Sequence, residues 1–359
     1  MSDAVLSRRR LLQAGGVSAL VLGLGSTGLL SACGSGGGSS GEATDRLVYS
    51  GFGGSYETSI RKALFDPFAQ STGVTVEFTP SANDITKIIT MVNAGRTDWD
   101  LDDAQGVALA QLIAAGALEE LDPSIVTAAD IVEPSLATPY SIPYYQFSHN
   151  VFWNTSMVSR PMTSWADVWN VEEFPGKRGF QRVPWFTLEI ALVADGVPVD
   201  QLYPLDVDRA FASLDRIKPH AVFLDNNALT NAVAAQELVT ADLNLARIKT
   251  IRDSGVPLEY TWNQAMLDVQ QLVVLKGAPN RVNAMRAVQY SLTEEAQLAI
   301  LDELGYTPTL KSALAKIDPE RAKDLPGTPE TSATSFYLNP QWWAENYDSV
   351  AKRFQDWLA

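Results

Sequence analysis

Residues 47–68 read LVYSGFGGSYETSIRKALFDPF, and three changes of pattern inside them set the fold class. Leu47-Val48-Tyr49-Ser50 is a short apolar run of the kind that forms a buried strand. Gly51-Phe52-Gly53-Gly54 interrupts it, and Ser55 is placed to cap a helix running to about Ser71. Ile60, Ala63, Leu64 and Phe68 recur at spacings of three and four, so they share one face of that helix. Strand, glycine turn and amphipathic helix make one β–α unit.

The unit recurs along the chain. Residues 74–78 alternate as a strand, 85–92 are helical, 101–104 end a third strand, and 107–115 form an apolar helix. A second series has helices at 165–169, 188–194 and 209–217, with strands at 221–224, 238–241 and 258–261. Strands separated by helices predict a mainly parallel sheet covered on both faces. Two long extended stretches, the aromatic-rich 142–153 and 270–275, lie between these regions and suggest paired hinge strands. The second leads into a helical segment at 284–304. At the end, Asn339 can cap a helix with Pro340 in its first turn. Trp343, Tyr347, Val350, Phe354 and Trp357 form its apolar stripe, expected to dock on one lobe.

The first residues read as an address. Arg8-Arg9-Arg10 precede an uncharged stretch to Ala32, and Leu30-Ser31-Ala32 stand before the only cysteine, Cys33. This resembles a bacterial lipoprotein signal with a twin-arginine-like start: 1–32 a signal peptide, Cys33 lipidated after cleavage, and 33–45 the lipid-bearing residue and a Gly/Ser tether. An uncleaved anchor is the alternative, since 11–32 could span a bilayer, but five glycines make it a poor helix. The Sec or Tat export route stays open.

Composition excludes several classes of function. The chain has 359 residues and a formal net charge of −15. Loss of 1–32 would remove three arginines and one aspartate, leaving 24 basic against 41 acidic groups. A nucleic-acid groove needs a basic stripe, which this chain lacks. One cysteine rules out a disulfide framework and a thiolate metal cage.

Catalytic motifs are equally sparse. No HExxH or GxxxxGK[ST] occurs after the signal, GxSxG occurs there only as GGSSG (37–41) of the Gly/Ser tether and not as a strand-to-helix elbow, and the GxGxxG of 23–28 lies within the signal. The run Asp98-Trp99-Asp100-Leu101-Asp102-Asp103 fails as a calcium loop, with Asp103 at its sixth position and Leu109 at its twelfth. It reads as a strand-end cap. His149 and His220 read as structural, and Tyr144-Tyr145 lack the His and carboxylate partners of an iron site. The expectation is no catalytic residue, no metal and no cofactor. The Gly51–Tyr56 turn is the better candidate, because glycines admit a ligand to the backbone and a helix start offers unpaired N–H groups.

Seven segments together resemble the extracytoplasmic solute-binding proteins of ABC importers, specifically the spermidine/putrescine-binding-like group. They are GFGGSYETSIRKALFDPF (51–68), IPYYQFSHNVFWNT (142–155), TSWADVWNVEEFPGKRGF (163–180), ADGVPVDQLYP (194–204), DVDRAFASLDRIKPH (206–220), GVPLEYTWNQAMLD (255–268) and QWWAENYDSVAKRFQDWL (341–358). The resemblance implies an α/β, type II periplasmic-binding-protein fold: two α/β lobes joined by hinge strands, with a ligand cleft between them. Lobe 1 would comprise 46–148 and 265–306, and lobe 2 149–264 and 307–359. The partners implied are a small-molecule ligand, the transmembrane subunits of an ABC permease, and a membrane reached through the lipid anchor. The protein would act as a monomer, without nucleic acid.

Carried over residue by residue, the resemblance puts Phe52, Gly54, Ser55 and Tyr56 on the first-lobe rim and Gln105 at the end of the third strand. Arg182 and Trp185 come from the second lobe, Asn244 and Arg247 begin a helix after a strand, and Asp268 and Gln270 lie on the returning hinge strand. The pocket departs from the polyamine pattern. The hinge-side Asp of that group falls at Gln270, a neighbouring Trp at Val269, another cleft Trp at Asn244, and an acidic pair near Arg182–Phe186, where no carboxylate stands. Asp242 or Asp268 could compensate from nearby. Polyamines or related amines therefore compete with an amino acid or organic carboxylate meeting Arg182 or Arg247. A lipid-anchored hydrolase is the alternative from another class.

Overall fold

The computed structural model describes residues 45–81, 84–127 and 129–359. The signal, Cys33 and nearly all of the tether lie outside the described residues.

Strand β1 (Arg46–Gly51) passes through the glycine turn into helix α1 (Ser55–Ile60), a π-helical turn at Arg61–Phe65, and α2 (Asp66–Thr72). The helix thus has the predicted length, but Ser55 does not cap it. Gly54 occupies the cap at φ 73°, a left-handed conformation that glycine adopts without steric cost, and no side chain bonds the helix start. The π-turn holds an extra residue, so Phe65 joins Ile60, Ala63, Leu64 and Phe68 in the core.

The chain continues through β2 (Thr75–Pro80), α3 (Ile85–Asn93), β3 (Leu101–Gln105), α4 (Gly106–Ala114) and the aromatic strands β4 (Pro143–His149) and β5 (Phe152–Asn154). Next come α5 (Trp165–Trp169), β6 (Arg178–Gln181), α6 (Thr187–Ala194), α7 (Val207–Ile217), β7 (Ala221–Leu224) and α8 (Asn226–Ala234). Then follow β8 (Thr240–Ala241), α9 (Leu245–Asp253), β9 (Leu258–Tyr260) and β10 (Met266–Val274). The last elements are α10 (Arg281–Ser291), α11 (Glu294–Leu304), β11 (Thr307–Pro308), α12 (Lys311–Leu314), α13 (Pro319–Ala322), β12 (Phe336–Tyr337) and α14 (Pro340–Leu358).

Two expected elements differ. The helix read at 284–304 is two helices, because Thr293 is extended and its side chain accepts from Ala296 N to start a new one. Of the strand read at 238–241, only Thr240–Ala241 pairs.

The larger sheet has the order β11-β4-β10-β3-β1-β2, with β12 beside β10. β1 runs parallel to β2 and β3, as the β–α repeat predicts, but β10 is antiparallel to both β3 and β4. The sheet is therefore mixed rather than mainly parallel, since the hinge strands add to it from outside the repeat. Leu47 and Tyr49 face one core cluster and Val48 the other, so both faces are covered. The smaller sheet, β7-β6-β8, is wholly parallel. Between the sheets, β5 and β9 pair antiparallel, with Phe152 opposite Tyr260 and Thr261 N bonded to Val151 O. Two extended segments thus carry the chain across side by side, but the second is β9 at 258–260; the stretch 270–275, expected as a hinge strand, lies within the larger sheet as part of β10. α14 does not dock on one region alone. Trp343, Val350 and Phe354 pack in the core of the smaller sheet, while the helix also lies against α4, whose Val107 shares that core.

Candidate ligand-binding site

A cavity of about 610 Å³ is lined from both sheets. Phe52, Ser55 and Tyr56 follow the end of β1, Gln105 ends β3, and Gln181 ends β6. Carboxyl ends of parallel strands are where an α/β sheet leaves a crevice, because the following helices diverge there. Phe186, Asn226 and Arg247 come from the starts of α6, α8 and α9.

Aromatic rings form much of the wall. Phe52 meets Tyr56 edge-on at 5.3 Å, Tyr145 stacks on Tyr306 at 4.6 Å, and His149 stacks on Phe186 at 4.2 Å. Behind the tyrosines lies Asp103, fully buried. It accepts hydrogen bonds from Tyr49 (2.8 Å), Tyr144 (3.0 Å) and Tyr56. Burial pushes its pKa up to about 6, and the tyrosine hydroxyls restrain the rise. The same burial, with the charge of Asp103, raises all four tyrosines Tyr49, Tyr56, Tyr144 and Tyr145, which stay protonated.

Three polar groups on the wall lack the partner their chemistry calls for. Arg247 donates to neutral oxygens, Thr230 Oγ1 at 3.1 Å and Asn227 Oδ1 at 3.4 Å, and has no carboxylate within ion-pair distance among the described residues. Gln270 Nε2 and Asn226 Oδ1 are buried and meet no partner at full hydrogen-bond geometry among the described residues. Such groups cost free energy unless something fills the space beside them. Among the described residues the one carboxylate on the wall is Glu303, and it is paired with Lys62 at 2.6 Å.

Residues 63–327 match the family model described as bacterial extracellular solute-binding protein. The chain belongs to that family. A gamma-aminobutyric acid-binding protein of Pseudomonas aeruginosa is 29% identical over 319 residues, covering 87% of this chain and 91% of that protein. The solved structure of AgtB from Agrobacterium tumefaciens R10, in complex with agropinic acid, is 32% identical and covers 87% of this chain and 98% of its own, with TM-score 0.79. A GABA receptor structure is also 32% identical, covering 88% and 98%, with TM-score 0.80. The chain is thus a substrate-binding protein of an ABC transporter, in a family that binds small molecules and works with permease subunits. Its likeness to spermidine/putrescine-binding proteins is distant: PotD of Streptococcus pneumoniae is 17% identical, with TM-score 0.69, a likeness of fold alone. Among the described residues no helix is long and apolar enough to cross a membrane.

In this solute-binding protein, Phe52, Ser55, Tyr56, Gln105, Asn244, Arg247 and Gln270 all line the cavity. Gly54 does not, and its neighbour Gly53 does. Arg182 is exposed, and Trp185 packs on Tyr347 of α14 at 5.9 Å. Asp268 is buried against the start of α4, where Gly106 leaves room for its carboxylate. Burial raises that carboxyl to about 7.

Sequence reasoning missed Tyr145, Phe147, His149, Gln181, Phe186, Asn226, Thr230 and Tyr306, which also line the cavity. His149, read as structural, is buried and paired through Nδ1 with Asp242, and it also ends β4 at the cavity wall. The aspartate run was read as a solvated cap, yet Asp100, Asp102 and Asp103 are fully buried. Asp100 accepts from Val48 N and Asn280 N, both at 2.7 Å, pinning β1 to the loop before α10.

Proposed function

We propose that this substrate-binding protein captures a small amino acid with its carboxylate and ammonium well separated, for which 4-aminobutyrate is the test ligand. The observation that carries the reading is Arg247, a half-buried guanidinium on the cavity wall bonded to neutral oxygens only. Guanidinium presents paired donors that match a carboxylate, so an anionic ligand end completes it. The names of its relatives, which bind gamma-aminobutyric acid and agropinic acid, support the same reading.

A diamine fits less well. One ammonium could use the tyrosine oxygens, but the other would face Arg247, and Glu303 is already paired. Ligand touching both sheets binds the closed arrangement better than the open one and shifts the population toward closure. The permease subunits would then receive the ligand from the closed form.

Several features belong to this proposal. Cleavage before Cys33 would leave a lipid-anchored, extracytoplasmic monomer. The lobes would be 46–148 with 265–306, and 149–264 with 307–359. The boundary near 306 moves past β11, because Thr307 and Pro308 pair with Gln146 and Tyr145 of the larger sheet. A Cys33→Ser variant should leave the membrane fraction.

Isothermal titration at pH 7 with 4-aminobutyrate, putrescine and glutarate tests the ligand. The expected order is 4-aminobutyrate first, with Arg247→Ala weakening it about 10–100-fold, the worth of one charge-assisted contact. Tighter binding of putrescine, undisturbed in Arg247→Ala, would restore the polyamine reading. Turnover of the bound compound would point to a hydrolase.

A further inference from the structure

We propose that Asp103 is a positioning residue for ligand specificity: it accepts hydrogen bonds from the hydroxyls of Tyr49, Tyr56 and Tyr144, so that the tyrosine wall offers oxygen lone pairs to a cationic group. The inference rests on the amino-acid reading above and adds an orientation to it.

A phenol has one proton to give. Tyr49, Tyr56 and Tyr144 each donate theirs to the Asp103 carboxylate, from β1, α1 and β4. Tyr56 Oη also lies 3.1 Å from Tyr145 Oη. With its proton already committed, Tyr56 can only accept there, so Tyr145 donates. Both Tyr56 and Tyr145 line the cavity, and with their protons committed their hydroxyls have only lone pairs left to offer a ligand there. A desolvated negative charge stands directly behind them. An ammonium is attracted to such a wall, and a carboxylate is repelled.

The guanidinium of Arg247 belongs to α9, beside the smaller sheet, whereas the tyrosines belong to the larger one. A ligand with opposite charges at its two ends therefore contacts both sides at once. A ligand with one charge engages one side only. The arrangement sets which way round the amino acid lies and makes charge separation, not size alone, the quality selected.

Asp103 is ionised at pH 7 and largely protonated at pH 5, given a pKa of about 6. Its surroundings are the neutral hydroxyls of Tyr49, Tyr56, Tyr144 and Tyr145, the Gln270 amide on β10, and Tyr306, itself raised to about 12. His149 and Arg247 are the basic groups on the cavity wall.

The test is titration of 4-aminobutyrate from pH 5 to pH 8 into the wild type, Asp103→Asn and Tyr145→Phe, each checked for folding by thermal melting. The wild type should lose about tenfold in affinity from pH 7 to pH 5, while Asp103→Asn binds at least tenfold more weakly at pH 7 with a flatter profile. Tyr145→Phe keeps the three donors to Asp103 and removes one acceptor. It should weaken 4-aminobutyrate severalfold and leave glutarate unaffected, which serves even if Asp103→Asn does not fold. Wild-type affinity and pH profile in a folded Asp103→Asn, or unchanged binding in Tyr145→Phe, overturns the inference while the proposed function stands. A wild type that binds no ammonium compound overturns both.

Discussion

His149 Nδ1 lies 2.5 Å from Asp242 Oδ1, joining the last residue of β4 in the larger sheet to the residue just beyond β8 in the smaller one. Both side chains are buried, and Gln181 Nε2 approaches the second Asp242 oxygen at 3.4 Å. A backbone bridge between His149 and Asn244 runs beside the pair. The contact stands where the chain crosses between sheets and at the wall of the cavity.

Removing one partner leaves the other buried without its hydrogen bond. Asp242→Ala should therefore cost roughly 1–3 kcal/mol of stability, read by urea denaturation. It should also weaken ligand binding, because the His149 ring would lose the bond that fixes its orientation against Phe186. A variant as stable as the wild type, with unaltered affinity, would mean that the pair does not order the site.

Phe186 begins α6 at φ 66° and ψ −54°, a conformation that strains a bulky residue. Its ring lines the cavity and stacks on His149, so the strain is held in place by the packing around it. Phe186→Ala and Phe186→Gly both remove the ring, but only glycine relaxes this backbone. Phe186 is the cap residue of α6, where glycine already outranks alanine, and φ 66° adds to that preference, so Gly should be more stable than Ala here by about 1–2 kcal/mol. Both should weaken binding. Thermal melting of the two variants decides the point, and a more stable Ala would remove the strain argument.

Periodicity made the elements legible, because burial of one helix face or strand leaves a mark at every third, fourth or second residue. Ile60, Ala63, Leu64 and Phe68 carry that mark, and so do Trp343, Val350 and Phe354. The strand-to-helix turn exposed part of the site for the same local reason. Asp103, Tyr145 and His149 carry no such mark. Their role depends on β10 lying between β3 and β4, where Gln270 faces Gln105 on one side and Tyr145 on the other. Register between strands roughly 125 to 165 residues apart is not written in any single segment. The misread helix at 284–304 has a different cause: Thr293 fits a helical face by spacing, but its hydroxyl prefers to start a new helix.

Gly51 shows how the turn and the tyrosine wall depend on one another. A methyl group there would come within 2.7 Å of Tyr49 Cζ and 2.8 Å of Phe78 Cζ, two rings that already meet at 5.0 Å. Gly51→Ala should therefore cost about 1–3 kcal/mol through overpacking. The displaced Tyr49 hydroxyl would leave Asp103, so affinity for 4-aminobutyrate should fall as well. Denaturation and calorimetry on one preparation read both effects; a loss of stability alone would uncouple Tyr49 from the site.

Glu189 of α6 holds the C-terminal helix by accepting from Trp343 Nε1 and Tyr203 Oη, each at 2.7 Å. Its other oxygen is buried and meets no hydrogen-bond partner among the described residues, and burial raises the carboxyl to about 7. A folded-state pKa above the ordinary value near 4.5 means that the native protein binds this proton more tightly than the unfolded chain does. The stabilising contribution is full below about pH 4.5, declines as pH rises to about 7, and is absent above. Glu189→Gln keeps the acceptor for both donors and removes the ionisation. At pH 8 the variant should exceed the wild type by on the order of 2–3 kcal/mol, and near pH 4.5 the two should agree. Carboxylates such as Asp122 and Asp195, whose pKa values are lowered by their partners, act in the opposite sense in both proteins and cancel in the difference. A stability difference that does not vary with pH would show that the Glu189 carboxyl titrates in the native protein as it does in the unfolded chain, and would remove the claim that burial shifts it.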